Sequence, residues 1–200
     1  MFHYSSLYIL KRRYRLLIAG AVLGALFSLA PLLVIPLEYR ADAGVFIITK
    51  TRYGVDPYTV VKSAERVAEN IAAVMKTDDF FGKVMAQGEF DFDRARFKNV
   101  SERVKRKRWQ KALQTSVTYG TGGLTISAYN KNPDKALALA GAAATSLSRQ
   151  GWEYVGGDVT IKVVNEPIVS RFPARPNVWL NAALGMIAGV IVTGVLVMRH

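Results

Sequence analysis

Two stretches of this chain run without a charged residue for longer than a soluble helix usually does. Leu16 to Leu37 (LLIAGAVLGALFSLAPLLVIPL) is 22 residues long, and Val178 to Met198 (VWLNAALGMIAGVIVTGVLVM) is 21. A helix rises about 1.5 Å per residue, so either stretch covers a hydrocarbon core of about 30 Å. The order that follows is a tail (1–15), a first transmembrane helix (16–37), a large intervening domain (38–177), a second transmembrane helix (178–198) and a short end (199–200). A cleaved signal peptide competes for the first stretch, with Lys11, Arg12, Arg13 and Arg15 as its basic head. Its apolar run, however, exceeds the usual length of about 7–15 residues. The small-residue pattern Ser28-Leu29-Ala30 is also followed by Pro31, a poor residue just after a cleavage site.

Charge sets the orientation. The chain carries 27 Lys and Arg against 15 Asp and Glu, a net +12, although half of it is hydrophobic. Four cations and no acid precede the first span, so the positive-inside rule puts the N-terminus in the cytoplasm and the second span returns there. The expected location is the cytoplasmic (inner) membrane, with both termini inside and the main domain extracytoplasmic. All 15 acids and 22 of the 27 cations fall in 38–177, which leaves that domain at +7. Both spans carry glycines four apart, Gly20/Gly24 and Gly185/Gly189, which share a helix face and let a second backbone approach closely, within or between subunits. Pro31 and Pro36 are placed to kink or end the first span.

Several chemistries are excluded. The chain has no cysteine, so it has no disulfide, thiol nucleophile or zinc–thiolate site. Its two histidines, His3 and His200, sit near opposite termini, which argues against a His-based triad or metal cluster. Asp78-Asp79 and the Asp91/Asp93 pair are the only acid–base candidates. They lack a His or Cys partner, and Asp78-Asp79 has a structural role at a helix start. Gly120, Gly122 and Gly123 resemble a phosphate cradle, but they separate two strand signals and read as a hairpin turn. No catalytic, cofactor-binding or metal-binding residue is assigned, and no enzyme is expected.

The domain alternates helix and strand signals. Val45 to Thr49 is β-branched and aromatic, a strand. Asp56-Pro57 opens an amphipathic helix of about 18 residues, and Thr77-Asp78-Asp79 opens a short one that Gly88 can stop. Residues 88–99 are irregular, with Phe90, Phe92 and Phe97 as anchors. A helix from Ser101-Glu102 to Leu113 precedes two strands, Thr115 to Tyr119 and Leu124 to Tyr129. Asn132-Pro133-Asp134 starts a helix that runs to Gln150, where Gly151 stops it. On it, Ala136, Ala140 and Ala144 stack beside Leu137, Ala143 and Leu147, a small face suited to close packing on a sheet or a neighbouring subunit. Val159 to Val164 alternates as a last strand. The fold class expected is α+β: a ferredoxin-like split βαβ domain with inserted helices, held between two transmembrane helices.

The densest charge lies between Arg103 and Lys111. Arg103, Lys105, Arg106, Lys107, Arg108 and Lys111 place six cations in nine positions, with Trp109 among them. Such a run can grip phosphates or carboxylates. On an external domain its partners would be an anionic glycan or lipid headgroups rather than nucleic acid, with Trp109 available to stack on a sugar. The competing explanation is a solvated helix face.

Three segments carry a family resemblance: Tyr39-Arg-Ala41 leading into VFIIT; the strand and helix start LTISAYNKNPDKA (124–136); and VVNEP ending at Pro167, then Pro173-Ala-Arg-Pro176-Asn177 at the entry to the second span. Together with the two-span layout, they resemble the Wzz-type chain-length determinants, the polysaccharide co-polymerases. The chain has no Gly-x-x-x-x-Gly-Lys-Ser/Thr phosphate loop, so the resemblance is to a short member without a kinase. It implies a homo-oligomeric ring, with no cofactor, that regulates polysaccharide chain length, polymerisation or export. Its partners would be copies of itself, membrane lipids, the glycan or lipid-linked glycan, and the polymerase or export machinery. The alternative is a membrane-anchored adaptor of another envelope machine, for secretion, division or DNA uptake.

Overall fold

The computed structural model describes residues 13–49, 56–156 and 159–199. Two tail cations, Lys11 and Arg12, and both histidines lie outside them. The chain divides into two compact units, one comprising residues 1–37 and 173–200, the other residues 38–172. Seven α-helices and four strands are formed among the described residues.

In the first unit, helix α1 (Tyr14–Leu29) tightens into a single 3-10 turn, Ala30–Leu33, and helix α7 spans Val178–Arg199. The helical stretches Tyr14–Leu33 and Val178–Arg199 are 20 and 22 residues long, and both are long and apolar enough to cross a membrane. The first boundary differs from the span 16–37 read from the sequence. Pro31 has no N–H with which to continue the α ladder, so the α-helix gives way just before it. The last four residues of the apolar run lie beyond the helical stretch.

The second unit is built on a sheet of order β2-β3-β1-β4, with every neighbouring pair antiparallel. The strands are β1 (Tyr39–Thr49), β2 (Leu113–Thr118), β3 (Gly123–Asn130) and β4 (Val159–Val169). On β1, Ala41, Ala43, Val45 and Ile47 are buried, and the intervening Phe46 and Ile48 are exposed, the alternation expected of a half-covered sheet. The buried face joins Leu124, Ile126 and Ala128 of β3 and Ile161 of β4 in one core. The other side of that core comes from α2 (Pro57–Val74), α3 (Asp78–Met85), α4 (Glu102–Ala112) and α5 (Pro133–Gln150).

The helix starts follow local chemistry. Asp56 accepts from Thr59 N at 3.2 Å, Thr77 from Phe80 N at 3.4 Å, and Asn132 from Asp134 N at 2.8 Å, each satisfying a donor the helix itself leaves unpaired. Helix α5 packs on β4, β1 and β3 with Ala136, Ala140, Ala143, Ala144 and Leu147 inward, so its small face serves the sheet. Leu137 is not part of that face and is exposed.

The stop after α5 is not where glycine spacing placed it. Gly151 keeps helical geometry, and the chain turns once more as α6 (Trp152–Val155) before Gly156, at φ +86°, ends it. Gly151 instead permits close packing, since a Cβ there would lie 2.5 Å from Ile161 Cδ1. Strand boundaries also shift. Helix α4 runs directly into β2 at Leu113, without a turn, and β4 continues past Val164 to Val169. Pro167 is tolerated because β4 is an edge strand, and Glu166-Pro167 bulge opposite Ala43 where the β1–β4 register shifts.

The β2–β3 turn is pinned by a carboxylate. Glu65 of α2, largely buried, accepts from Gly120 N at 3.1 Å and from Lys62 Nζ at 3.1 Å. Gly120 and Gly122 both have positive φ, which only glycine adopts without strain. The Gly120 N–H, then the Lys62 ammonium, hold the Glu65 carboxyl below its ordinary value of 4.5. A depressed folded-state pKa stabilises the fold fully above the unfolded value, and the benefit is lost as pH falls through the folded value. Glu65→Gln should therefore lower the unfolding midpoint of the full chain in detergent at pH 7, with the gap to wild type closing as pH is brought well below 4.5. A gap that widens on acidification would contradict this.

Candidate functional site

Helix α4 is amphipathic in an unusual way, with an inner face of one large aromatic and an outer face of cations. Trp109 is 2 % exposed. Its Nε1 donates to Met75 O at 2.9 Å, and its ring meets Phe81 and Phe97 edge-on at 5.2 and 6.0 Å. This corrects the sequence assignment: Trp109 is a core anchor whose ring is not presented to a ligand. Because the indole fixes the rotation of α4, it also fixes which cations face out.

Arg106, Lys105 and Arg108 are used within the domain. Arg106 forms a bidentate pair with Asp78, its Nε 3.2 Å from Oδ1. Lys105 pairs with Glu102 and lies over the Phe81 ring. Arg108 donates to Arg96 O at 2.6 Å, tying α4 to the 3-10 turn Ala95–Phe97. Arg103 and Lys107 are exposed and form no ion pair among the described residues. Lys111, also exposed, follows on the same side. Arg103, Lys107 and Lys111 recur every four residues, so they form one stripe directed away from the Trp109 face.

The carboxylates weighed as acid–base candidates have structural partners. Asp78 is held low by Arg106 and Asp91 by Lys135, 2.6 Å away. Asp79 accepts from the Tyr154 hydroxyl, and Asp93 accepts from Arg96 N at 3.3 Å. A general acid needs a raised pKa, and these two shifts go the other way. No group of three or more His, Asp or Glu side chains able to hold a metal ion occurs among the described residues.

In the first unit the four glycines come together. A Cβ on Gly20 would lie 2.9 Å from Gly189 O, one on Gly24 2.9 Å from Gly189 Cα, and one on Gly185 2.5 Å from Gly24 O. All three are tighter than side chains allow, so the backbones of α1 and α7 touch where side chains are absent. The sequence left open whether these motifs act within or between subunits. Here they knit one chain to itself. Two side chains escaped the sequence argument: Ser28, whose Oγ donates across the pair to Asn181 O at 2.5 Å, and Thr193, whose Oγ1 donates to Gly189 O within α7 and which packs against Gly20. Each is a lone polar residue in an apolar run, a signal shared with many residues that do nothing of the kind.

The proline motif divides between the units. Pro167 belongs to β4. Pro173 and Pro176 precede α7, and Asn177 caps it, its Oδ1 accepting from Leu180 N at 3.1 Å.

No protein-family model matches the chain, and no curated protein is similar to it at a significant level.

Replacing Gly24 or Gly185 with Leu should separate the two helices at a cost of about 1–3 kcal/mol. The cysteine-free chain makes this measurable. Gly194 faces Leu17 across the pair, so Leu17→Cys with Gly194→Cys should cross-link within one chain under mild oxidation. Adding Gly24→Leu should abolish that cross-link; persistence at full yield would refute the packing.

Proposed function

We propose that the chain is a membrane-anchored, homo-oligomeric scaffold that regulates polysaccharide chain length, polymerisation or export across the cytoplasmic membrane, without catalysing a reaction. The observation that carries this reading is the combination of one α+β unit with two apolar helices drawn from the chain's two ends. We read the strand order β2-β3-β1-β4, with the helices on one face, as a ferredoxin-like split βαβ domain, α3 and α4 being inserted between its first helix and its second strand. The sequence segments 39–49, 124–136 and 163–177, similar to those of the chain-length determinants, support the same conclusion. A paired set of catalytic groups would argue for an enzyme, whereas the carboxylates weighed for that role are engaged in holding helices together.

The orientation proposed places both termini in the cytoplasm and the α+β unit outside, because Lys11, Arg12, Arg13 and Arg15 precede the first span. The partners proposed are further copies of the chain, the glycan or its lipid-linked form, and the machinery that polymerises or exports it. Cells in which the gene is deleted should show a changed length distribution of their surface polysaccharide, restored by the wild-type copy. An unchanged distribution would end this reading, and a strictly monomeric particle in mild detergent would remove its oligomeric part.

A further inference from the structure

A groove of about 510 Å³ runs between helix α5 and the edge strand β4. Ala138 and Gly141 of α5 form its floor, and Phe90, Leu137, Val163 and Pro167 form its walls. Phe90 can lie on the helix only because residue 141 is glycine, where a Cβ would come within 2.8 Å of its ring. Leu137 and Val163 are exposed although both are large and apolar. Two acids, Asp134 and Glu166, line the same groove. Both are exposed, and neither has an ion-pair partner among the described residues. Asp134 is supported by the dipole of α5, whereas Glu166, on a strand, has no such support. An apolar groove with an anionic rim fits a large apolar side chain that carries a cation beside it.

The chain itself presents that pair just after β4. Phe172 is 73 % exposed, and the Arg171 guanidinium lies over its ring, 5.7 Å from the centroid. Arg171 is also exposed and has no ion-pair partner among the described residues. The backbone beneath them is fixed. Ser170 N donates to Arg40 O at 2.7 Å, and Ser170 Oγ accepts from Arg40 N at 3.1 Å and donates to Phe172 O at 2.9 Å. A knob held in place before binding loses little conformational freedom when it seats. Phe172 does not line the groove of its own chain, so the copy it fits is another one. Copies that share a membrane are related by rotation about its normal, which keeps each residue at its height. Knob and groove meet that condition. Val169 pairs with Ala41 and Asn130 with Tyr39, so the knob after β4, the wall at Glu166-Pro167 and the start of α5 all lie toward one end of the sheet.

We propose that Arg171 and Phe172 of one copy seat in the α5–β4 groove of a second copy, the Phe172 ring between Leu137 and Val163 and the Arg171 guanidinium on Glu166 and Asp134. The contact rests on the homo-oligomeric part of the reading above and gives it an interface.

The test co-expresses two differently tagged full-length chains, one carrying Phe172→Cys and the other Leu137→Cys, and treats the membranes with a short bifunctional thiol reagent. The chain has no native cysteine to interfere. A cross-link joining the two tags should form, and Ser116→Cys, on the uncovered sheet face, should give none in place of Phe172→Cys. In mild detergent, Phe172→Ala should weaken self-association by about tenfold or more. Arg171→Glu should weaken it as well, and adding Glu166→Arg should restore most of the loss. The proposal is overturned if positions 172 and 137 do not cross-link between copies, if position 116 cross-links equally, or if Glu166→Arg brings no rescue. Self-association unchanged by Phe172→Ala would assign the exposed ring to lipid headgroups and would overturn it too. Self-association without the 172–137 cross-link would remove this interface alone. An intact cross-link with glycan length independent of the gene would remove the regulator alone.

Discussion

The two apolar helices meet where they have no side chains. In hydrocarbon there is no hydrophobic gain in pressing one apolar helix against another, so association relies on close van der Waals contact and a few polar bonds. Gly20, Gly24, Gly185 and Gly189 provide the contact, and Ser28 provides a bond across the pair to a carbonyl oxygen of α7. If any of the four glycines were a bulky residue, the first unit would be two separate anchors rather than a hairpin.

A hairpin and the sheet solve the same problem independently. In the first unit, Ser28 near the end of α1 meets Asn181 near the start of α7. In the second unit, β1 and β4 are antiparallel neighbours, and Ser170 N donates to Arg40 O at 2.7 Å, so that unit's first and last residues leave from one end of the sheet. Each unit closes on itself with its two ends adjacent, the arrangement required when two connections join them. The helical layer then turns on one buried indole. Trp109 couples α4 to the end of α2 and to the phenylalanines of α3 and the 3-10 turn, so the outward direction of the basic stripe follows from packing rather than from charge.

Much of this was legible in the residues. The charge-free runs, the caps at Asp56, Thr77 and Asn132, and the glycine turn between β2 and β3 depend on local chemistry, and the four strands and six of the seven helices were visible in it. What stayed hidden depends on tertiary context. Trp109 sits in a basic run and reads as a surface aromatic, yet the core needed a large ring there. Gly151 reads as a helix stop, but its role is to admit Ile161, and the stop comes at Gly156. Pro167 argues against a strand until the edge position and the bulge of β4 are known. Glu65 has the spacing of an ordinary solvated helix acid, and its partner, Gly120 N, lies 55 residues away. The division of the basic stripe into engaged and outward cations is likewise set by Asp78 and Arg96, which no periodicity connects to α4.

The proposed function requires the α+β unit to face away from the cytoplasm, and the absence of native cysteines allows that to be measured directly. A single cysteine at Ser116, exposed on the uncovered sheet face, and another at Arg13, ahead of the first span, can be compared with a membrane-impermeant maleimide in intact spheroplasts. Labelling is expected at position 116 in intact spheroplasts and at position 13 only after permeabilisation. Labelling at 13 with protection at 116 would contradict that orientation.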